Sequence, residues 1–482
     1  MINFRPIARV LSILLCIVGA LMWTGLPFCF YFAESGWPLF LAGLTSVAAG
    51  GGLWLVRNPT GAPIRKREGY LIVALSWVAM VSAGMLPYLY SGMIPSVPDA
   101  LFETVSGMTT TGASVLTDIE VQPRGLLYWR SLTQWIGGMG IIVLTVAIFP
   151  LLGIGGIELF AAEAPGPTSD KLHPRISETA KRLWFIYVGL TSLLAVLLTI
   201  FGLTPYEAIN HALTTMATGG FSTRNASAGA FAPHVQYLII VFMFLAGVNY
   251  TLLYLGWKRR WREVWLSDEL KAYLAIVAFL TVVCTLGVYR ATGGGDLEVA
   301  FRDSLFQIVS LVTTTGFVSA DYTSWSTSLT IVFFVLLFMG ACAGSTSGGI
   351  KLIRHLVFFK NSYLEFKRIV HPAAIVPLRL NKQIVAGKVI THIFNFLLLY
   401  LLIFIVGSVV LAMLGLDFMT ALGAMATSLG NVGPGIGGVG PTDNFAGLSD
   451  AIKLFLSFVM IVGRLEIFTV LVLFTPYFWR LN

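Results

Sequence analysis

The chain has 482 residues, of which 56% are hydrophobic and only 11% are charged, and its mean hydropathy is +0.82. Soluble domains carry about 25% charged residues, so this composition excludes an ordinary soluble protein and indicates a membrane protein. The net charge of +8 would suit a nucleic-acid-binding protein. The placement of the basic residues, described below, argues against nucleic acid as a partner.

Apolar runs that could cross a lipid bilayer follow one another along the chain. A spanning helix needs about 20 predominantly apolar residues, and several runs reach that length. We predict ten spans, at residues 10–32, 37–56, 70–90, 126–152, 183–203, 235–257, 272–289, 328–358, 388–415 and 450–476. The predicted fold class is therefore an all-α polytopic membrane protein with the lipid bilayer as its surroundings.

The basic residues between these spans predict the orientation of the chain. If the N-terminus is cytoplasmic, 24 of the 31 Lys and Arg residues fall in inside segments and six, including Arg130, fall outside. The remaining one, Arg464, lies near the middle of a span, whereas basic residues near the end of a span are counted with the adjoining segment. By the positive-inside rule, we expect both termini to be cytoplasmic, and this distribution accounts for the net charge.

Four of the outside segments share one sequence pattern. Aligned on a glycine, they read DALFETVSGMTTTGAS (99–114), EAINHALTTMATGGFS (207–222), DSLFQIVSLVTTTGFV (303–318) and TALGAMATSLGNVGPG (420–435). The aligned glycines are Gly112, Gly220, Gly316 and Gly433. Six residues before each glycine stands a hydroxyl side chain, namely Ser106, Thr214, Ser310 or Thr427. Short apolar segments of this kind, which cannot cross, are typical of re-entrant loops that line a water-filled path.

Each aligned segment predicts a short helix followed by a glycine-rich loop. We expect the helices to open at Asp99, Glu207, Asp303 and Thr420, because acidic and hydroxyl residues favour helix N-termini. About eleven helical residues measure roughly 17 Å, near half of a hydrocarbon core of about 30 Å. Glycine then permits positive φ, so that carbonyl groups can form a ring that replaces the hydration shell of a cation.

We therefore predict a fourfold pseudo-symmetric repeat of span, pore helix, filter loop and span, preceded by two extra N-terminal spans. The predicted units are residues 1–69 for the two-span extension and 70–157, 158–264, 265–382 and 383–482 for the four repeats. The predicted cation-binding residues are Thr110, Thr111, Gly112, Thr218, Gly219, Gly220, Thr314, Thr315, Gly316, Asn431, Val432 and Gly433.

The predicted span 328–358 is interrupted by the polar run GACAGSTSGGIK (340–351). Small residues there could form a helix-packing face. That alternative does not explain four consecutive polar or glycine positions at 345–348, which a lipid-facing helix would not tolerate. We interpret the run as a flexible gate loop below the filter, formed by Gly344, Ser345, Thr346, Ser347, Gly348, Gly349 and Lys351.

Arg464 lies near the middle of the last predicted span, within SFVMIVGRLEIFTVLVLF (457–474). A charge at this depth costs roughly 2.5–3.5 kcal/mol on insertion scales, so it needs an explanation. One hypothesis is a pore constriction, where the cation opposes ion passage beneath the filter. The other is a structural ion pair with a second helix, and Glu466 fits either role.

No catalytic motif is found in the sequence, so we predict a transport protein and not an enzyme. A gated, channel-like pathway is favoured. The alternative is an H⁺- or Na⁺-coupled symporter, which would usually carry intramembrane carboxylates or inverted repeats. Here the four repeats share one orientation, and mid-span carboxylates are nearly absent apart from Glu466.

The four filter segments, the broken span with GSTSGGIK and the final VGRLEIFTVLVLF together resemble the Trk/Ktr/HKT superfamily of cation transporters. The initial pair of spans is similar to its bacterial Trk branch. The resemblance implies low-affinity K⁺ uptake, with the aligned glycines as the filter, Gly340–Lys351 as the intramembrane loop and Arg464 as the constriction. Serine at the first filter position accompanies Na⁺ preference in parts of the superfamily, whereas this chain has Gly112.

The resemblance also implies partners and a location. Members are homodimers of the bacterial inner membrane with one pore per subunit. A cytosolic TrkA-type regulatory subunit binds NAD(H), ATP or ADP, so nucleotide is expected on that partner, and no cofactor on this chain apart from the transported K⁺. The sequence departs from TTTG at Gly219 and in GNVGPG, so the four filter segments need not be equivalent.

Overall fold

The computed structural model describes residues 3–55, 66–143 and 172–480, which are built almost wholly of α-helices. The only strands in these ranges are Arg379–Leu380 and Gln383–Ile384, an antiparallel pair with Arg379 opposite Ile384. The predicted boundary at 157/158, and the ends of the predicted spans 37–56 and 126–152, lie outside the described residues.

The first half of the described chain contains long helices and the first two short buried helices. Its helices are α1 (Phe4–Trp23), α2 (Leu26–Tyr31), α3 (Trp37–Trp54), α4 (Lys66–Gly84), α5 (Leu86–Ser91), α6 (Val97–Met108), α7 (Arg124–Val143), α8 (Leu172–Ile200), α9 (Pro205–Met216), α10 (Pro233–Ala246) and α11 (Tyr250–Trp257).

The second half repeats the alternation of long and short helices. Its helices are α12 (Trp261–Val264), α13 (Asp268–Ala291), α14 (Leu297–Val312), α15 (Thr327–Leu336), α16 (Leu352–Val370), α17 (Gly387–Met413), α18 (Phe418–Gly430), α19 (Asp450–Arg464), α20 (Ile467–Leu471) and α21 (Pro476–Trp479).

The long apolar helices agree with a multi-pass membrane protein. Within the described residues, five helical segments are long and apolar enough to cross a membrane, and two sharply bent pairs bring the number to seven. The other three predicted spans correspond to α3, α7 and the broken segment formed by α15, the 340–351 loop and α16. The prediction of an all-α polytopic fold is confirmed.

The two N-terminal spans pack together through small residues. A Cβ atom on Gly19 would lie 2.6 Å from the carbonyl oxygen of Gly43, so α1 and α3 approach closely only because both positions lack side chains. The hydroxyl of Ser12 donates a hydrogen bond of 2.6 Å to the carbonyl of Gly50. This hairpin then packs beside α4 and α5, outside the four short helices.

The four short helices α6, α9, α14 and α18 form the centre of the molecule. Their last turns are almost completely buried by the surrounding long helices. An ion pair joins the first of these helices to the segment that follows the last, because the buried Lys453 of α19 lies 2.6 Å from the partly exposed Asp99 of α6. The arrangement is therefore closed: the fourth repeat packs back against the first.

Candidate functional site

The short buried helices begin earlier than their acidic residues predict. Their N-caps are Ser96, Thr204, Asp296 and Asp417, and not the predicted residues Asp99, Glu207, Asp303 and Thr420. The capping side chain accepts a backbone N–H in three of the four helices, all but that of Ser96. Asp99, Glu207 and Thr420 therefore stand at the third helical position, where an acidic side chain still favours the helix dipole.

The prediction for the third helix is wrong by the largest margin. Helix α14 has 16 residues and starts at Leu297, so Asp303 lies two turns inside it. The reason is local: the carboxylate of Asp296 accepts the N–H of Glu298 at 2.9 Å and provides a stronger cap.

All four short helices end in the same hydrogen-bonded turn. In each helix, the N–H of the residue two positions before the aligned glycine donates to the carbonyl three residues earlier. The N–H of the next residue donates to the carbonyl five residues earlier. This pair of bonds is a Schellman motif. The five-residue bonds are Thr111 N to Ser106 O (2.8 Å), Gly219 N to Thr214 O (2.9 Å), Thr315 N to Ser310 O (2.8 Å) and Val432 N to Thr427 O (3.0 Å). The residue that carries a hydroxyl in all four sequences therefore also provides the backbone carbonyl that accepts the five-residue bond.

The backbone of each filter segment alternates between left-handed and other conformations. The residues two positions before the glycines have φ near +54°: Thr110 (54°), Thr218 (53°), Thr314 (55°) and Asn431 (53°). The glycines themselves have φ of 85°, 78°, 78° and 104°. A β-branched threonine at positive φ is a genuine outlier that costs of order 1–3 kcal/mol and is found mainly at functional sites.

The four filter segments touch one another in a closed ring. A Cβ atom on any filter glycine would collide with the carbonyl oxygen of the residue before the glycine in the next repeat. The pairs are Gly112 with Gly219 O, Gly220 with Thr315 O, Gly316 with Val432 O, and Gly433 with Thr111 O. The contacts run from repeat one to four and back to one, and each requires glycine for space as well as for φ.

Side chains within the ring do not follow the fourfold pattern. The Oγ1 atoms of Thr109 and Thr111 are 2.7 Å apart, and those of Thr313 and Thr315 are also 2.7 Å apart. Asn431 donates to Thr111 Oγ1 at 3.0 Å. The repeats therefore share a backbone shape while their side chains differ.

The polar run 340–351 forms a buried loop against the filter. The N–H of Gly348 donates to Thr314 Oγ1 at 2.6 Å, which joins the loop to the third filter segment. The hydroxyl of Thr346 donates to the carbonyls of Met216, at the end of α9, and Ala246. The structure thus brings the predicted gate loop and the predicted filter together.

The same loop fills the break between α10 and α11, which are bent by 103°. Cys342 N donates to Gly247 O at 3.1 Å, and Tyr250 N donates to Gly344 O at 3.1 Å. A broken helix at membrane depth needs such partners for its freed backbone groups.

The other residues predicted to form the gate loop are held mainly by hydrogen bonds within the loop. The hydroxyls of Ser345 and Ser347 are 2.9 Å apart. Lys351 donates from Nζ to the hydroxyl of Ser347 at 2.9 Å and to its carbonyl. Gly349 has a φ of 64°. On the other side, one carboxylate oxygen of Glu269 accepts the N–H groups of Ala343 and Ile353, at 2.8 and 3.0 Å, and so joins the two ends of the loop.

Arg464 ends α19 directly beside this loop. It is 3% exposed, and its Nη1 donates to Thr346 O at 2.9 Å, while Nε and Nη2 have no hydrogen-bond partner among the described residues. Glu466 pairs with Arg354 instead, at 2.5 Å. Within the described part of the chain, Arg464 therefore forms no structural ion pair, and α19 and α20 bend by 114° just after it.

The sequence predictions missed a buried ion pair behind the filter. Arg130, which we placed in an outside segment, is 2% exposed and lies 2.6 Å from Glu103 of α6. Its guanidinium stacks on Phe221, next to the second filter glycine, and donates to Ser222 O. The sequence contained a signal for this pair, because Glu103 is a second acidic residue in α6, four residues after Asp99 and surrounded mainly by apolar residues.

Comparison with known proteins agrees with this geometry. The family model described as "Cation transport protein", TrkH, matches residues 38–290 and 295–480. A Salmonella typhimurium protein named Trk system potassium uptake protein TrkH is 38% identical over 99% of this chain and 100% of its own length. The Escherichia coli K12 protein named Trk system potassium uptake protein TrkG is 37% identical over 94% of this chain and 93% of its own.

A solved structure is similar over the same extent. The crystal structure of the potassium transporter TrkH from Vibrio parahaemolyticus has 36% identity and a TM-score of 0.91, and the match covers 99% of this chain and 100% of that one. The resemblance inferred from the filter segments, the broken span and the arginine is thereby confirmed. The chain belongs to the TrkH family of cation transport proteins.

Proposed function

We propose that this protein takes up potassium across the bacterial inner membrane through a gated, channel-like pore. The observation that carries the proposal is the closed ring of four glycine–carbonyl contacts, made by four segments with one shared backbone conformation. Relatives of nearly the same length are named as potassium uptake proteins, which supports potassium as the transported ion.

The ring is suited to a weakly hydrated monovalent cation. Helices α6, α9, α14 and α18 all point their C-termini, with partial negative charge, at the filter segments. The carbonyl oxygens of Thr111, Gly219, Thr315 and Val432 each lie against a glycine of a neighbouring segment, which supports a ring of oxygens that replaces a hydration shell. We propose the twelve residues named above as the cation site, with side chains mainly supporting the backbone.

The gate is assigned to the 344–351 loop and Arg464. The loop is hydrogen-bonded to the third filter segment through Thr314 and to Arg464 through Thr346, and these contacts support a barrier next to the proposed filter. The guanidinium of Arg464 is buried and has no carboxylate partner among the described residues, which is costly and favours a functional role over a structural one. Its charge would oppose K⁺ until the loop moves.

The alternative is K⁺ symport coupled to H⁺ or Na⁺. A carboxylate that relays protons would have to be free, yet Glu103 is paired with Arg130 and Glu466 with Arg354. This pairing speaks against Glu103 and Glu466 as proton relays.

We further propose the units 1–69, 70–157, 158–264, 265–382 and 383–482 as the two-span extension and the four pore repeats, with both termini cytoplasmic. A homodimer and a nucleotide-binding TrkA-type regulatory partner follow from the family resemblance. The exposed apolar side chains Phe359, Tyr363 and Phe366 on α16 leave a surface that a second subunit could cover.

The proposal is tested by Rb⁺ uptake into proteoliposomes that contain the purified protein, with K⁺ or Na⁺ as competitor. We expect K⁺ to compete much more strongly than Na⁺. Because the closed gate can keep wild-type uptake low, the Arg464→Ala variant is assayed in parallel. Equal competition by the two ions in both proteins, or no uptake by either, would overturn the proposal.

A further inference from the structure

The second filter segment differs from the others at the position just before its glycine. Thr111, Thr315 and Val432 stand there in the first, third and fourth repeats, whereas the second repeat has Gly219. Thr111 and Thr315 each bond to the hydroxyl of the threonine two residues earlier. The second segment therefore lacks a side chain where the other three have one.

Gln134 of α7 fills the space that this missing side chain leaves. It is fully buried, and a Cβ atom on Gly219 would collide with its amide group. Its Nε2 donates to Gly219 O at 2.6 Å, and its Oε1 accepts Phe221 N at 3.1 Å. Because one partner is an acceptor and the other a donor, the amide fits in only one orientation. Gln134 thus holds the backbone on both sides of Gly220.

The carbonyl that Gln134 binds belongs to the ring. Gly219 O packs against Gly112 of the first repeat. Among the residues that the structure describes, no donor reaches the equivalent carbonyls of Thr111, Thr315 or Val432. A carbonyl that already accepts a short hydrogen bond is less free to move and shares its lone pairs, so it coordinates a cation differently from the other three.

We propose that Gln134 is a specificity-determining positioning residue of the pore. It replaces a filter side chain with a side chain from a spanning helix, and it makes the second quarter of the ring more rigid and a weaker cation ligand. This inference rests on the proposed function, since it assumes that the ring binds the transported ion. Gln134 contacts the filter backbone and acts through it.

The first test is Gln134→Leu, which keeps most of the volume and removes both hydrogen bonds. We expect the K⁺ over Na⁺ permeability ratio in proteoliposomes to change by about threefold to tenfold, the effect of one hydrogen bond, because only the bond to Gly219 O involves a carbonyl of the ring. Gln236→Leu is the matched control. Gln236 is also buried, in α10, but its amide donates to the carbonyls of Ala228 and Phe231, outside the filter segments.

The second test rebuilds the second segment. Ala217→Thr with Gly219→Thr turns ATGG into the TTTG of repeats one and three. With Gln134 present, the threonine side chain introduced by Gly219→Thr has no space, so we expect selective uptake to be lost. Adding Gln134→Ala opens the space, and we expect the permeability ratio to return to within about threefold of wild type, a non-additivity typical of residues in contact.

The outcomes separate this inference from the proposed function. An unchanged ratio in Gln134→Leu, or a triple variant no better than the double, overturns the role of Gln134 while selective wild-type uptake still supports the pore. A lack of K⁺ preference in both the wild-type protein and Arg464→Ala overturns the proposed function itself. If Gln134→Leu does not fold but the triple variant folds and is selective, the inference is supported, because the threonine side chains have then replaced the amide.

Discussion

Arg464 donates a hydrogen bond from Nη1 to the carbonyl oxygen of Thr346 at 2.9 Å, across 118 residues of sequence. Thr346 is the middle of the polar loop that also bonds Thr314 of the third filter segment through Gly348. The filter, the loop and the arginine, which the sequence predicts separately, are therefore one connected structure. In the proposed mechanism, opening must break or rearrange this connection.

Replacing Arg464 by alanine should raise K⁺ flux. At an effective dielectric constant near 20, a unit charge opposes a cation that passes at about 6–8 Å by roughly 2–3 kcal/mol, so an arginine beside the ion path gives an expected rise in flux of at least severalfold once it is removed. Arg464→Lys keeps the charge and should stay low. Arg354→Gln is the control at a basic residue with an acidic partner and should not raise flux. A fall in flux at normal protein yield in Arg464→Ala would favour a structural role.

Gly112→Ser should reduce the preference for K⁺ over Na⁺. The new Cβ would collide with Gly219 O and would stand at a φ of 85°, so the ring must deform. Gly92→Ser is the matched control. Gly92 also has a positive φ, 71°, but a Cβ atom there would have no atom within 4 Å, so this variant tests backbone strain without the collision. Permeability ratios measured by ion substitution decide the matter: equal ratios in both variants would remove Gly112 from the filter.

Thr314→Val should weaken the closed state of the gate. It removes the acceptor of Gly348 N–H, and leaving a buried N–H unpaired costs about 1–3 kcal/mol, so basal leak should rise about fivefold or more. Thr110→Val is the control, since Thr110 occupies the equivalent position with the same φ and its hydroxyl has no partner among the described residues. Efflux from K⁺-loaded vesicles measures the leak. Equal leak in both variants would contradict the role of the Gly348–Thr314 hydrogen bond in keeping the gate closed.

Arg130→Met should destabilise the fold strongly. It leaves the fully buried carboxylate of Glu103 without its ion-pair partner, a change that costs about 3–5 kcal/mol. Adding Glu103→Gln should recover part of the loss. Arg302→Met serves as the comparison, because its partner Glu298 is half exposed and the pair is worth about 1 kcal/mol or less. Thermal unfolding in detergent would contradict the expectation if Arg130→Met and Arg302→Met shifted the midpoint equally.

The sequence predicted what periodic and repeated patterns encode. Length and hydropathy indicated the spans, and the aligned glycines predicted the four segments that the structure closes into a ring. The hydroxyl six residues before each glycine was a valid marker of position. Its shared role, however, is a backbone carbonyl in the helix-ending turn, which no side-chain pattern could reveal.

Other features depend on contacts between distant parts of the chain. Helix α14 begins six residues before Asp303 because Asp296 is the better cap, a competition that the alignment hid. Arg130 and Gln134 lie on α7 and act on filter segments about 90 residues away, at Ser222 and Gly219. A polar residue in a spanning helix indicates that it has a hydrogen-bond or ion-pair partner. The identity of that partner depends on how the helices pack, which the sequence pattern does not show.

The most direct test of the central claim is the reversal potential of the purified protein in a lipid bilayer. A passive, K⁺-selective pore predicts a reversal potential that follows the K⁺ gradient and does not move when a pH or Na⁺ gradient is imposed at fixed K⁺. Arg464→Ala should show the same potential at higher current. A potential that shifts with the pH or Na⁺ gradient would contradict the pore and show coupled transport.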